Sequence, residues 1–495
     1  MAKNNKFYLD KKDGRKREIL IYEDHPLVTR RDFLSAGLMS FTAAAVAPSL
    51  LLSRNVFACE ALTAGQGGSA MPAFIQLNLA GGGMLAANLV PRDEGGAIIE
   101  NRNLMGLGRG ALNMTGDFGN GNLFFQGSTL FSGLQSTADA TTLANTNIIG
   151  IVARSRDDSN TNRFDISGLA TAANLKGNQL PNLSVSDYRQ MPAYINPPKE
   201  LTVSSYQDVE GALGVQGPLG RLAKEKLRAA VELIKNLSSD QSNRVIASNS
   251  DSVKASVPCA TESNLTLIDQ DAPPTDPRAE AALQGIWGIA ANTNPRDRSV
   301  VFSTLVFNAL KKYTGPVRLQ MGGYDYHNKT RTTGDTRDGE AGAMVGQILQ
   351  TAAALNQPVF LYLSTDGSCR SAESDTPDSP WVSDRGQAGL TIIFVYNPNG
   401  RTTLTSPFAA DANKKILAHQ VGLLTAGQAA DQNYVPGWND ERAALAVFLN
   451  YLKFAERTGA GINPMSIYSD VMSQATAGNP FGDEATIMEK IIRIA

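Results

Sequence analysis

Histidine is scarce in this chain: only His25, His327 and His419 occur among 495 residues. A di-metal centre resting on several imidazoles cannot be assembled from so few, whereas an oxygen-rich mononuclear site can. Cysteine is as sparse, at Cys59, Cys259 and Cys369. Charge of one sign is lacking too, since 45 basic and 47 acidic side chains leave a formal charge of −2. That balance is uneven along the chain: residues 1–59 hold 10 basic and 6 acidic side chains, leaving 35 and 41 in the remainder, a net −6. A mildly acidic body gives no electrostatic reason to expect nucleic-acid binding. No nucleophile elbow, P-loop, zinc-protease helix or internal repeat is present.

What is present begins at the amino terminus. Thr29-Arg30-Arg31-Asp32-Phe33-Leu34 has the form of a twin-arginine export motif, with Phe33 and Leu34 after the pair. An uncharged, Ala-rich stretch from Phe33 to Ser53 follows, then Arg54 and Val56-Phe57-Ala58. A basic region, an apolar region and a small-residue cleavage context stand in order. Residues 1–59 are therefore expected to be a signal region, either cleaved or anchoring, with lipidation of Cys59 as a further route. Export should deliver folded cargo to the periplasm or cell surface and remove His25. The export machinery is the implied partner, alongside an unidentified cell-envelope component. Cys259 and Cys369 then remain, either paired in an oxidising compartment or as two unpaired thiols.

Residues 60–495 are expected to form a single α/β domain. Hydrophobic content of 42% and charged content of 19% suit a globular body. Ala73–Leu79, Asn147–Ala153, Val317–Met321, Pro358–Ser364 and Gly389–Tyr396 read as strands, several of them apolar throughout. Helices are expected at 219–237, Pro277–Ala291, Arg296–Lys312, Glu340–Leu355, Asp411–Leu424 and Asn439–Ala455, with a last amphipathic segment reaching Ile492. Residues 238–277 are polar and proline-bearing, and read as a surface excursion or linker. Alternating strands and helices with apolar strands predict a largely parallel sheet sandwiched by helices. Residues 101–146, rich in Gly, Asn and Thr, read as long polar loop, with Asp117, Asn120 and Asn122 a weak calcium-like group.

The stretch of greatest chemical interest is Gly322–Asn328, GGYDYHN, at the end of the Val317–Met321 strand. A strand–helix–strand crossover would place this loop and the Thr365–Ser368 loop on one carboxyl edge, where ligands of open α/β sheets collect. Asp325 and His327 offer a hard oxygen and an imidazole; Asp366 and Asp384 are the further candidate ligands for a divalent metal. The bland alternative is a hydrogen-bonded loop brace beneath a paired-glycine turn. Ser364, Thr365, Ser368 and Cys369 cluster near Asp366, yet none is distinguished as a nucleophile by an adjacent base.

Taken together, the twin-arginine start, Leu77–Pro91, Asn162-Arg163-Phe164-Asp165, Gly322–His327 and Ser383-Asp384-Arg385-Gly386 resemble an exported bacterial family. It is known as domain of unknown function fifteen hundred and one, and is related to the alkaline phosphatase and sulfatase superfamily. The resemblance spans most of residues 72–455 and implies an alkaline-phosphatase-like core with a metal-lined cleft above the sheet. Four departures stand out. Met84 replaces an Asp and Ala87 an Asn, while Arg163 and Arg385 stand where histidines are usual. Arginine is cationic and does not ligate metals. Arg385, with Arg163, is thus expected to pair with Asp325, Asp366 or Asp384 in a catalytically degenerate cleft that needs no cofactor. A divergent metal-dependent phospho- or sulfo-ester hydrolase is the alternative.

Overall fold

The computed structural model describes residues 5–10, 16–21, 71–115, 121–154, most of 166–185, 200–212, 274–326, 330–365, 368–376, 379–383, 386–408, 410–437, 439–473 and 481–495, with single positions at 225, 229 and 232. The chain divides into two compact units, residues 1–59 with 214–271, and residues 60–213 with 272–495. The described part of the first is an antiparallel hairpin of β1 (Asn5–Asp10) and β2 (Lys16–Ile21), registered Asn5 against Ile21. Most of 219–237 and of 238–277 lies outside the described residues, as does the twin-arginine stretch.

The second unit is built on one eight-stranded sheet. Its strands are β3 (Ala73–Leu79), β4 (Thr146–Val152), β5 (Leu183–Ser184), β6 (Leu201–Thr202), β7 (Val317–Met321), β8 (Val359–Thr365), β9 (Leu390–Tyr396) and β10 (Gln420–Val421). They lie in the order β10-β4-β9-β8-β3-β7-β5-β6. Only β9 runs against its neighbours, pairing Leu390 with Val152 and Tyr396 with Val359; every other pair in this sheet is parallel. The α/β expectation holds, with a largely parallel sheet. Strands such as VFLYLST and LTIIFVY are buried along their whole length, as strands covered on both faces must be.

Alternation along the strands feeds two cores. Ile75, Leu77, Leu361, Leu363 and Ile392 point into one; Phe74, Phe360, Tyr362, Ile393 and Val395 point into the other. The first face is covered by α1 (Thr129–Thr137), α2 (Ala140–Ala144), α4 (Tyr206–Ala212), α5 (Ala281–Trp287), α6 (Arg298–Leu310) and α7 (Arg331–Ala354). The second is covered by α3 (Ser167–Ala172), α8 (Asp440–Arg457), α9 (Pro464–Ser473) and α10 (Glu484–Lys490). Helices on both faces make the sandwich that the apolar strands require.

Three helix expectations are corrected. The Asp411–Leu424 stretch is a 3-10 helix over Ala412–His419 that gives way to β10, because Gln420 and Val421 gain parallel pairing with Gly150 and Ile151. Pro277–Ala291 is a 3-10 turn, Pro277–Ala279, followed by α5, which stops at Gly288 in a left-handed conformation. The last segment is two helices, α9 and α10, not one. In contrast, the helix expected from Glu340 starts earlier, at Arg331, where the Thr330 side chain accepts from Thr333 N.

The register decides what the site contains. Leu79 sits opposite both Met321 and Thr365, so β3, β7 and β8 release their chains on the same edge. The crossover from β7 through α7 to β8 passes over β3, which lies between them.

Candidate functional site

Three loops are laced together at that carboxyl edge. Ala80 N donates to Met321 O at 2.8 Å, and Tyr324 N donates to Ala80 O at 3.2 Å. The Thr365 hydroxyl donates to Gly81 O at 2.5 Å and accepts from Gly83 N at 3.1 Å. Gly81 has φ +114°, and a Cβ there would collide with the backbone of Tyr324 and Asp325. The glycine run after β3 is thus there to let two backbones touch.

Beyond Gly323 the side chains alternate between core and solvent. Tyr324 and Tyr326 turn into the core at 0% exposure, while Asp325 between them is exposed. The Tyr324 hydroxyl donates to Arg337 O at 2.8 Å. That of Tyr326 donates to Asp338 Oδ1 at 2.6 Å and reaches Gly334 O at 3.2 Å. Tyr326 stacks on Trp381, ring centroids 6.1 Å apart, and the Arg331 guanidinium lies over the indole at 4.9 Å. The tyrosines nail the loop to α7 and so aim Asp325 outward.

Asp338, on α7, is buried. Its second oxygen accepts from Asn88 Nδ2 at 2.7 Å. Asn88 Oδ1 in turn accepts from Ser128 Oγ at 2.8 Å and Leu130 N at 3.3 Å. Burial pushes the Asp338 carboxyl up to about 7, against the opposing pull of the Tyr326 and Asn88 hydrogen bonds. The same burial raises the Tyr326 hydroxyl and the Cys369 thiol.

Of the four candidate metal ligands, only Asp325 is among the described residues. His327, Asp366, Asp384, Arg385 and Arg163 lie outside them, as do Arg30, Arg31, Phe33, Leu34, Cys59, Cys259, Asp117 and Asn120. Among the described residues, no three His, Cys, Asp or Glu side chains gather as metal ligands. His419 is half-buried and bonded through Nδ1 to Ile148 O at 2.8 Å, with desolvation lowering its basicity. It serves the β10 side of the sheet. Met84 and Ala87 are core residues, each 1% exposed.

The hydroxyls near Asp366 are structural. Ser364 Oγ accepts from Gln76 Nε2 at 2.9 Å and donates to Asn78 Oδ1 at 3.3 Å. Ser368 Oγ donates to Gly386 O at 3.0 Å. Cys369 is a buried thiol, and Cys259, the other member of the possible pair, lies outside the described residues.

Sequence reasoning missed Asp338 and Asn88. The signal was available for Asp338: it shares a helical face with Gly342, Val345 and Leu349, so a carboxylate stands in an apolar strip. It also missed the ion pair of Arg318 with Glu200, 3.4 Å apart and buried. Comparison with protein-family models, with curated proteins and with solved structures finds no match.

Proposed function

We propose that the chain is an exported bacterial protein with a catalytically degenerate, alkaline-phosphatase-like core, acting as a non-catalytic binding or structural protein of the periplasm or cell surface. The observation that carries this reading is Met84. The resemblance calls for a carboxylate at that position, and the side chain is instead a thioether packed in the hydrophobic core. A buried thioether offers no hard oxygen to a divalent cation. The laced glycine turn and the two anchored tyrosines support a brace, the bland alternative for the Gly322–Asn328 loop. The twin-arginine sequence supports export of folded cargo.

One observation favours the hydrolase instead. Asp325 presents an exposed carboxylate at the carboxyl edge of a largely parallel sheet, the place where α/β proteins gather ligands. Of the ligand positions the resemblance implies, Met84 and Asp325 are described, and only Asp325 suits a divalent metal. Elemental analysis of the purified, folded mature protein separates the two readings. The expected result is no stoichiometric transition metal, with p-nitrophenyl phosphate and sulfate hydrolysed no faster than by Asp325→Ala. Tightly bound zinc or manganese, lost together with activity in Asp325→Ala, would establish the hydrolase.

A further inference from the structure

Asp338 is a carboxyl group held by two neutral donors, and those donors differ in what they can do. Asn88 is fixed: its oxygen already accepts from Ser128 Oγ and Leu130 N, so its N–H must face Asp338. Tyr326 can turn, because a second acceptor, the Gly334 carbonyl, lies 3.2 Å from its hydroxyl. We propose that Asp338, Tyr326 and Gly334 form a proton-operated latch on the loop Gly322–Tyr326. With Asp338 ionised, the Tyr326 hydroxyl donates to Oδ1. With Asp338 protonated, Oδ1–H donates to the Tyr326 oxygen, and the Tyr326 hydroxyl turns to Gly334 O. One proton taken up from solvent converts the first arrangement into the second, and each leaves every buried polar atom of the trio partnered.

The surroundings set the poise of the latch. From its own helix, Arg331 draws Asp338 toward the ionised form and Asp335 opposes it. From the loop come the hydroxyls of Tyr324 and Tyr326, and from the chain after β8 the buried Cys369 thiol. Asn88 and Ser128 are neutral. Arg337 and Glu340 pair with each other at 2.7 Å on the exposed side of α7. Desolvation outweighs the rest, which places the exchange near neutrality. The ionised arrangement gives Tyr326 a charge-assisted bond and the protonated one a neutral bond. The loop that presents Asp325 is therefore held more firmly above neutral pH than below it. This holds whether or not the proposed function does.

Trp381, stacked on Tyr326, supplies the readout. Tryptophan fluorescence of the full chain, followed from about pH 5 to about pH 9, is expected to show a one-proton transition near neutrality. Three variants assign it. Asp338→Asn should abolish it. Tyr326→Phe should move the midpoint up by about one to two pH units, the size of a hydrogen bond to a charged acceptor. His327→Gln should leave it unchanged, and with three histidines in the chain few other groups titrate in this range. A flat profile, a transition that survives Asp338→Asn, or one lost with His327→Gln overturns the latch. Should Asp338→Asn not fold, Tyr326→Phe decides, and an unshifted midpoint overturns it.

Discussion

A single hydroxyl ties two of the loops at the carboxyl edge. Thr365 both donates to Gly81 O and accepts from Gly83 N. Thr365→Val keeps the shape and removes both side-chain bonds, leaving the 3.2 Å contact of Gly83 N with Gly81 O in place. The expected cost is about 1–3 kcal/mol, read as a lower midpoint in urea with an unchanged slope. At Asp338 the effect is one of pH. The folded-state value, near 7, lies above the ordinary 3.8, so between those values the folded chain binds more protons than the unfolded one. Stability contributed by this group therefore falls as pH rises from about 4 to about 7 and is level above that. Urea titrations of wild type and Asp338→Asn across that range isolate the effect, because groups common to both cancel. Their stability difference should change by up to about 4 kcal/mol.

Among elements, α7 is the one whose role differs most from its pattern. Its apolar residues Val345, Ile348, Leu349 and Ala352 read as a sheet-covering strip, and they are buried in that core. A second face is made of glycines that meet α1. A Cβ on Gly342 would collide with Leu130 O, one on Gly346 with Thr137 Oγ1, and one on Gly133 with Gly339 O. Backbone-to-backbone approach is what these residues permit. Gly342→Ala should then destabilise by about 1–3 kcal/mol through overpacking, although alanine is the better helix former by about 1 kcal/mol. Around Gly285, in α5, the space is open: nothing lies within 4 Å of where a Cβ would stand. Gly285→Ala should instead stabilise by up to about 1 kcal/mol. Thermal melts of the two variants, moving in opposite directions, would confirm that close approach and not helix propensity governs α7.

For the molecule as a whole, the export proposal turns on the arginine pair. Replacing Arg30 and Arg31 with lysine keeps the charge and removes the guanidinium pair, which a receptor reads by shape as well as sign. Folded precursor should accumulate in the cytoplasm of an expressing cell, measured by fractionation. Undiminished delivery to the periplasm would argue against twin-arginine export and the location that depends on it. Within the second unit, the sheet is continuous from β10 to β6, and its carboxyl edge carries the candidate loop whatever the chain is used for.

The sequence by itself was enough for the elements whose cause is local. Five strands could be placed from apolarity and alternation, Ala73–Leu79 and Val317–Met321 with their observed bounds, because burial on both faces leaves its mark on every residue of a strand. The α/β class followed from their alternation with helices. Period alone could not tell that Gln420 and Val421 would leave a helical pattern to pair with β4, nor that β9 would run against its neighbours. Those outcomes depend on what lies alongside. The site was legible as a location but not as a set of contacts. Asp338 meets Asn88 across 250 positions, and Thr365 meets Gly81 across 284. A bond of that span leaves no local period in the chain; only the packed sheet brings its two ends within reach, and only there does burial give a carboxylate on an apolar strip its altered protonation.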